Sequence, residues 1–375
     1  MIDDPALPIL SDLSSEALSQ ITGVPDTGLM RLRYRQGKRA ILHVTSPAGE
    51  GALWAFAGDK GRRIARRNRG SRLDDRTGTV FDPFPNDHRL PEIAALLRSW
   101  QAVAPALIGT DAASGLQMLR YRPGLSCTFR AKGLDGSTSY IKVIADEDVE
   151  ALALANAAFR RALNGTGLDI AGTLGTLPEL KTIAYQAAQG SPLDRFLLGS
   201  ELERAMHASL TALDTLNALP AMAGRQKDVD ALLAVAHAAR DMVVTVFPAL
   251  ADASEQTLQR LREVPHMDLR QIHGDMKLEH VFLNESRVTL IDTETMSIGP
   301  AAYDRAMLDG RLVMAAQDGM PLEAVRRARA FVLQYRDAEF DWCRAVVALR
   351  LAKFHAQHPA PEAEARAAEL LREMP

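Results

Sequence analysis

The middle of the chain carries short apolar runs with the spacing of β-strands. Three such runs are rich in apolar and β-branched side chains: residues 116–121, 127–130 and 139–144. Turn sequences separate them, Pro123-Gly124 after the first run and Leu134–Ser137 after the second. An alanine-rich segment with helical spacing follows at 147–163, and 180–185 is a further strand-like run. The pattern predicts the order β-β-β-α-β.

The third strand of this group places a charged residue on a sheet face. Because side chains alternate between the two faces of a strand, Tyr140, Lys142 and Ile144 share one face, and Ile141 and Val143 share the other. The spacing after residue 187 is mostly helical, with one strand-like patch at 281–292. We therefore expect a β-rich part that carries a lysine, followed by a helical part.

A short internal repeat occurs at an offset of 87 residues. Residues 32–37 (Leu-Arg-Tyr-Arg-Gln-Gly) match 119–124 (Leu-Arg-Tyr-Arg-Pro-Gly), and at the same offset Ala55 takes the place of Lys142. One interpretation is chance similarity between two arginine-rich hairpins. The other is a duplicated β-lobe whose first copy has lost its lysine.

Chain length and pattern suggest three regions in an α+β fold. At about 150 residues per domain, 375 residues correspond to two to three domains. Residues 1–105 form a β-rich region that would be the first lobe copy, 106–187 form a β-rich lobe with Lys142, and 188–375 form a helical lobe. We expect residues 1–105 to be an addition to the other two regions.

Composition narrows the class of protein. The apolar fraction of 47% and the charged fraction of 24% are typical of globular proteins, and a net charge of −3 does not favour a nucleic-acid partner. The two cysteines do not form a disulfide framework. The acidic start of the chain does not resemble a signal peptide, and no apolar run is long enough for a membrane span. We expect a cytoplasmic protein without a membrane partner; the oligomeric state is left open.

A basic run follows the first copy of the repeat. It comprises Lys60, Arg62, Arg63, Arg66, Arg67, Arg69, Arg72 and Arg76. Such runs are most often solvated faces, and the alternative is a site for phosphate or another anionic partner. No aromatic residue is interleaved with the arginines, which argues against the stacking of single-stranded nucleic acid.

The segment 272–294 carries the clearest chemical signal. His273-Gly274-Asp275 precedes the strand-like run 281–283, and a turn at 284–286 leads to a second run that ends at Asp292. The hairpin places Asp275 and Asp292 at the same end, close enough to share a cation. Phosphoryl transfer uses one aspartate to accept the hydroxyl proton and another to hold Mg²⁺ on the nucleotide phosphates. Lys142 supplies a cation for those phosphates.

These motifs resemble the aminoglycoside phosphotransferase and choline kinase superfamily, which has a protein-kinase-like fold. The resemblance rests on His273-Gly274-Asp275, the hairpin with Ile291-Asp292, the later segment 299–305 and the order in which they follow Lys142. It covers about 106–350. It implies a two-lobed fold with a small β-rich lobe and a mostly helical lobe, and ATP with Mg²⁺ as cofactors.

The resemblance also implies roles for single residues. Asp275 would be the catalytic base and Asp292 the metal ligand. The nucleotide-binding candidates are Lys142, Glu150, Ser126 at the end of a turn with a single glycine, and Tyr185, Gln186 and Ala187 as the hinge beside adenine. His273 and Asp304 would brace the catalytic loop.

Two positions depart from the family pattern. His280 stands where the family has an asparagine that binds metal, so His280 is a candidate metal ligand with Mn²⁺ as an alternative to Mg²⁺. The helix glutamate that pairs with the lysine is not unique either. Glu150 or Glu147 could orient Lys142, or neither, because Asn156 aligns with the expected place.

We interpret the chain as an ATP-dependent phosphotransferase whose acceptor is a hydroxyl of a small molecule such as a sugar, amino sugar or amino alcohol. Only about a dozen residues separate Asp292 from Asp304, which argues against a protein substrate docked along an activation segment. The alternative is a nucleotide-binding pseudokinase that acts as a scaffold or regulator. A third, weaker hypothesis is a partner-binding module centred on the basic run.

Overall fold

A computed structural model describes residues 2–222, 225–285 and 287–374. The chain divides into two compact units. The first contains residues 1–153, 173–187 and 357–360, and the second contains 154–172, 188–356 and 361–375. In the described residues, no helix combines the length and the apolar character that crossing a membrane requires.

The fold is α+β, as the sequence predicts. The strands are β1 (Gly28–Arg35), β2 (Arg39–Ser46), β3 (Gly49–Phe56), β4 (Arg72–Asp74), β5 (Thr79–Pro83), β6 (Gln117–Arg122), β7 (Ser126–Lys132), β8 (Thr138–Ile144), β9 (Leu168–Ile170), β10 (Thr173–Leu177), β11 (Thr182–Gln186), β12 (Ser191–Pro192), β13 (Leu269–Ile272), β14 (Val281–Leu283), β15 (Val288–Leu290) and β16 (Ser297–Pro300). The α-helices are α1 (Ser15–Thr22), α2 (Lys60–Arg67), α3 (Glu92–Ile108), α4 (Val149–Ala162), α5 (Leu202–Asn217), α6 (Val229–Val246), α7 (Ala251–Gln259), α8 (Tyr303–Gln317), α9 (Leu322–Leu333), α10 (Ala338–Gln357) and α11 (Ala363–Glu373).

The first unit contains two antiparallel five-stranded sheets with the same topology. One has the strand order β1-β2-β3-β5-β4 and the other has β6-β7-β8-β11-β10. In both, three consecutive strands form a meander, a helix follows the third strand, and the last strand of the set pairs with that third strand. The shared connectivity supports the duplicated-lobe interpretation of the sequence repeat.

The strand register corrects the residue equivalence in this repeat. Arg35 pairs with Arg39 in one sheet and Arg122 pairs with Ser126 in the other, which agrees with the offset of 87. The next hairpins differ, because two residues join β2 to β3 and five residues join β7 to β8. The partner of Ile41 is therefore Trp54, and the partner of the equivalent Thr128 is Lys142. Trp54, not Ala55, takes the place of the lysine.

An aspartate before each copy holds the turn of its first hairpin. Asp4 accepts hydrogen bonds from the Tyr34 hydroxyl and the Gly37 amide, both at 2.8 Å. Asp87 accepts the equivalent bonds from the Tyr121 hydroxyl at 2.9 Å and the Gly124 amide at 2.5 Å. Both aspartates begin the sequence Asp-x-x-Leu-Pro, at 4–8 and 87–91. The two copies therefore also share the segment that precedes their first strand.

Helix α3 covers one face of the second sheet and forms the larger core of the first unit. Trp100 of α3 packs with Phe129 and Ile141 of the sheet, and all three are almost fully buried. In the first sheet Trp54 is fully buried with Ile41 and Val80. The aromatic side chain thus fills the sheet face that carries a lysine in the second copy.

The second unit is mainly helical, as predicted for the region after 188. It contains α5–α9, α11 and most of α10, together with a four-stranded sheet β12-β14-β15-β9 and the pair β13-β16. Helix α4 begins in the first unit and continues in the second. The division into regions at 105 and 187 stays a prediction, and Ser286 of the predicted turn lies outside the described residues.

Candidate active site

The candidate catalytic loop lies between β13 and β14. Gly274 has φ +79°, and a Cβ atom there would lie 2.7 Å from the Thr295 carbonyl oxygen. Both the left-handed backbone and the close approach require glycine at this position. The loop therefore bends sharply directly before Asp275, so that the Asp275 carboxylate is displayed at the bend.

His273 and Asp304 hold the backbone of this bend. The Asp304 carboxylate accepts hydrogen bonds from the amides of His273 at 2.5 Å and Gly274 at 2.8 Å. His273 is fully buried; its Nε2 donates to the Ile291 carbonyl at 2.8 Å, and its Nδ1 accepts from the Asp275 amide at 3.3 Å. Burial lowers the pKa of His273, so the neutral tautomer with the proton on Nε2 suits both bonds. These contacts match the bracing roles that the resemblance implies.

Two cations flank the Asp275 carboxylate. Arg350, near the end of α10, forms an ion pair with Oδ1, and the Lys277 ammonium lies 3.2 Å from Oδ2. Burial acts to raise the pKa of Asp275, but Arg350 and Lys277 outweigh it and hold the pKa well below its usual range. Asp275 is thus an ionised, oriented carboxylate at neutral pH.

Arg350, Tyr303 and Lys227 are not among the candidates that the sequence motifs indicate. The Arg350 guanidinium donates to the Tyr303 hydroxyl at 2.6 Å, and the Lys227 ammonium donates to the Gly274 carbonyl. Burial and the nearby Arg350 lower the pKa of Lys227 to about 8. One sequence signal exists: Arg350 is the single charge in the run 345–352, Ala-Val-Val-Ala-Leu-Arg-Leu-Ala. A buried helix seldom carries such a charge without a partner.

The metal candidates, His280 and Asp292, lie next to each other and close to Lys277. His280 Nε2 is 3.2 Å from Asp292 Oδ2 and 3.3 Å from the Lys277 ammonium. The Ile291 amide bonds to the His280 carbonyl at 3.1 Å, so the hairpin itself sets this proximity. Asp292 has φ +59° and ψ +40°, a left-handed conformation that is uncommon outside glycine and concentrates at functional sites.

The Asp292 carboxylate fits one hard divalent cation. The carboxylate, with a side chain that is 30% exposed, offers the oxygen ligands that Mg²⁺ prefers. Within the described residues, His280 Nδ1 is buried and has no hydrogen-bond partner. With the proton on Nε2, His280 donates to Asp292, and the Lys277 ammonium is a neighbour but not a hydrogen-bond partner of Nε2. With the proton on Nδ1, Nε2 could accept from Lys277, but Nδ1 would be a buried orphan donor. The geometry therefore favours His280 as the residue that orients Asp292.

The nucleotide-binding candidates belong to the first unit. Lys142 of β8 pairs across the ladder with Thr128, and its ammonium lies 5.4 Å from the centre of the Tyr185 ring. Ser126 opens β7 opposite Ile144, so Ser126 and Lys142 share one sheet face. The structure therefore brings Lys142, Ser126 and Tyr185 to one sheet.

The remaining candidates lie at the ends of elements. Glu150 is exposed in the first turn of α4, where Asp148 caps the helix by accepting from the Glu150 and Ala151 amides. Gln186 ends β11 and is exposed, and Ala187 follows it. Asp275, His280 and Asp292 belong to the second unit, as does Asn156, whose amide donates to the Ala171 carbonyl at 2.9 Å.

Residues 128–346 match a family model described as the phosphotransferase enzyme family. The match covers more than half of the chain and confirms the resemblance. It contains Lys142, the catalytic loop and the hairpin with Asp292. A comparison with curated proteins finds no match.

Solved structures share the fold at low sequence identity. One is an apo thermostable mutant of the aminoglycoside phosphotransferase APH(4)-Ia, with 16% identity, TM-score 0.53, and coverage of 73% of this chain and 98% of that one. Another is the amicoumacin kinase hAmiN in complex with AMP-PNP, Ca²⁺ and Ami, with 12% identity, TM-score 0.53, and coverage of 74% and 92%. The fold is thus protein-kinase-like, with a β-sheet lobe and a helical lobe, as expected from the sequence.

Proposed function

Because the chain belongs to the phosphotransferase enzyme family, we propose that it transfers the γ-phosphoryl group of ATP to a hydroxyl group of a small molecule. The observation that carries this proposal is the arrangement around Asp275. A glycine bend displays the carboxylate, Asp304 and His273 hold the backbone, and Arg350 and Lys277 fix both oxygens. Such an oriented carboxylate suits the acceptance of a hydroxyl proton.

Asp275 acts mainly by orientation. Its pKa lies well below the usual range, so it is a weak base in the ground state. Phosphoryl transfer proceeds through a loose transition state in which the acceptor proton leaves late, and positioning of the hydroxyl contributes more than early proton removal. Each oxygen retains a lone pair beside its ion pair. The acceptor hydroxyl donates to that lone pair. As its oxygen bonds to the γ-phosphorus, the bond from that phosphorus to the bridging oxygen breaks, the proton passes to Asp275 and ADP leaves.

Asp292 would hold the divalent metal, with His280 as its neighbour. Mg²⁺ in such a site neutralises charge on the nucleotide phosphates. The neighbouring Lys277 lies between Asp275 and His280, within 3.3 Å of atoms of both. It therefore adds positive charge on the side of the loop where the transferred group is expected.

Nucleotide binding is assigned to the first unit. Lys142 would contact phosphate oxygens, and Ser126 on the same sheet face would offer a hydroxyl and an amide to the phosphates. The backbone at Tyr185, Gln186 and Ala187 would contact adenine. Glu150 remains a candidate partner of Lys142, and so does Glu147.

The charges around the catalytic loop favour an acceptor without a positive charge near the reacting hydroxyl. Arg350 and Lys277 both contact the one carboxylate of Asp275, whereas Lys227, at the carbonyl of the preceding residue, is offset by the carboxylate of Asp304. Repulsion between like charges costs free energy in a partly buried site. Among the expected classes, sugars should therefore be better acceptors than amino sugars or amino alcohols. The acceptors of the solved relatives do not decide this, because an identity of 12–16% shows only the fold.

An acceptor panel tests the proposal. ADP formation would be measured with ATP and Mg²⁺ across neutral sugars, amino sugars and amino alcohols, and the phosphorylated product would be identified by mass spectrometry. We expect turnover that depends on acceptor, fastest with a neutral sugar. Nucleotide binding without turnover on any acceptor would instead support the pseudokinase alternative, which His280 in the family's asparagine position motivates.

A further inference from the structure

A cavity lined by arginines lies between the two sheets of the first unit. Its volume is about 190 Å³. Arg31 and Arg33 of β1 form one side, and Arg120 and Arg122 of β6 form the other. In each strand the two arginines are two residues apart, so the strand period of two brings both to the same face. Four guanidinium groups therefore converge from the two lobe copies.

The first pair of arginines has neutral hydrogen-bond partners. Arg31 Nη2 donates to the side-chain oxygen of Gln357 at 2.9 Å, and Arg33 donates to the Pro123 carbonyl. In the part of the chain that the structure describes, the buried Arg31 Nε has no acceptor. A buried donor without an acceptor costs free energy unless a ligand or water satisfies it.

The electrostatic balance of the cavity is positive. Burial and the charges of Arg122 and other arginines lower the pKa of Arg31 and of Arg33 to about 10; at Arg33 the charge of Asp87 opposes this effect but does not cancel it. Among the described lining residues Glu50 is the one carboxylate, and it already pairs with His43 at 2.7 Å. The guanidinium groups thus repel one another across the cavity, and an anion between them would relieve this repulsion.

The cavity is near the sheet face that carries Lys142. Arg120 pairs with Thr128, and Thr128 pairs with Lys142, so the three side chains share one face of three neighbouring strands. Adjacent strands are about 4.8 Å apart, which places Arg120 and Lys142 about 10 Å apart across β7. Arg122 occupies the same face opposite Ser126.

We propose that this cavity is a binding site for a phosphate group, held by Arg31, Arg33, Arg120 and Arg122. Guanidinium groups bind tetrahedral phosphate oxygens through paired N–H donors, and four of them match a doubly charged anion. The volume is more than ten times the space of about 10–15 Å³ that one water molecule needs on the same measure, which leaves room for a phosphate and a small ester substituent. The site does not depend on the catalytic activity proposed above.

The bound phosphate group could belong to either of two ligands: free phosphate or a phosphate ester, or the phosphate tail of a nucleotide. Titration calorimetry of the full chain with inorganic phosphate, and separately with AMP-PNP, distinguishes them. Arg31→Met and Arg33→Met should each weaken phosphate binding by about tenfold or more, because each removes a charge-assisted contact. A parallel loss of AMP-PNP affinity in both variants identifies the nucleotide tail as the source; unchanged AMP-PNP affinity identifies free phosphate or an ester.

The matched control is Arg98→Met, which removes the same charge from an exposed position of α3 outside the cavity. It should leave phosphate affinity unchanged. Arg120 is exposed, so Arg120→Met gives a third cavity variant that is not needed for packing. Phosphate affinity equal in Arg98→Met and in the cavity variants, or no phosphate binding by the unmodified chain, would overturn the proposal.

Discussion

The guanidinium group of Arg350 forms an ion pair with the carboxylate of Asp275, 75 positions earlier in the chain. This pair, with Lys277, keeps the pKa of Asp275 low against the opposing effect of burial. A carboxylate with a lowered pKa stays ionised through the mildly acidic range. Any activity that needs ionised Asp275 is therefore retained as the pH falls toward that lowered pKa.

Replacement of Arg350 should raise the pH below which Asp275 is protonated and activity is lost. In Arg350→Met burial is less opposed, so the pKa of Asp275 rises toward its usual range. The acid limb of kcat/KM should shift to higher pH, and turnover at neutral pH should also fall because the carboxylate loses its orientation. The measurement is kcat/KM against pH, with the exposed Arg326→Met as control. An unchanged acid limb in Arg350→Met would show that the pair does not set the ionisation of Asp275.

Variants at Lys142 and Asp292 should distinguish the loss of a phosphate-binding charge from the loss of a metal ligand. Lys142→Ala removes a charge from the nucleotide phosphates, and Asp292→Ala removes the proposed metal ligand. Both variants should lose activity, but only Asp292→Ala should lose the Mg²⁺ dependence of nucleotide affinity. Titrations of AMP-PNP with and without Mg²⁺ measure this. Equal Mg²⁺ dependence in Asp292→Ala and the unmodified chain would contradict the metal role.

Although the first unit has two similar sheets, we expect it to bind a single nucleotide, at the sheet that carries Lys142. Trp54 fills the position of Lys142 in the first copy and is fully buried, so that copy offers no cation at this place. Calorimetry with AMP-PNP should therefore give one nucleotide per chain, and Lys142→Ala should weaken that single event. A stoichiometry of two would show that the first copy has kept a nucleotide site.

His280 either ligates the metal or orients Asp292. Its Nε2 lies within hydrogen-bond distance of Asp292, which favours orientation. If so, His280→Asn should change the ratio of turnover with Mn²⁺ to turnover with Mg²⁺ by less than about twofold, since the metal would keep its oxygen ligands. The ratio in both proteins decides the point. A clear fall in relative Mn²⁺ activity would identify imidazole as a ligand, because nitrogen suits Mn²⁺ better than Mg²⁺.

Local patterns were sufficient for the fold class and for the hairpin that leads from Asp275 to Asp292. The three-stranded meander, helix α4 and strand β11 follow from alternation and turns, but the predicted order misses the short strands β9 and β10 between α4 and β11. The loop and hairpin around Asp275 and Asp292 are continuous in sequence. The arginine repeat was also visible, since the offset of 87 holds across the first hairpin of each copy.

Other features depend on loop lengths and long-range contacts. The equivalence of Lys142 with Trp54 requires the different lengths of the two following turns, which an alignment at constant offset misses. The Asp-x-x-Leu-Pro segments lie at an offset of 83, so the same comparison does not join them. Arg350 and Lys227 reach the loop from distant elements, and no local pattern reveals that contact.

The most direct test of the account is the turnover of Asp275→Asn with ATP, Mg²⁺ and the best acceptor of the panel. The amide keeps the size of the side chain but cannot accept the acceptor proton, so kcat should fall by about 10² to 10⁴. Nucleotide affinity should change little, and Asp252→Asn, at an exposed position of α7, should behave like the unmodified chain. An Asp275→Asn protein that retains full turnover would contradict the assignment of Asp275 as the catalytic base.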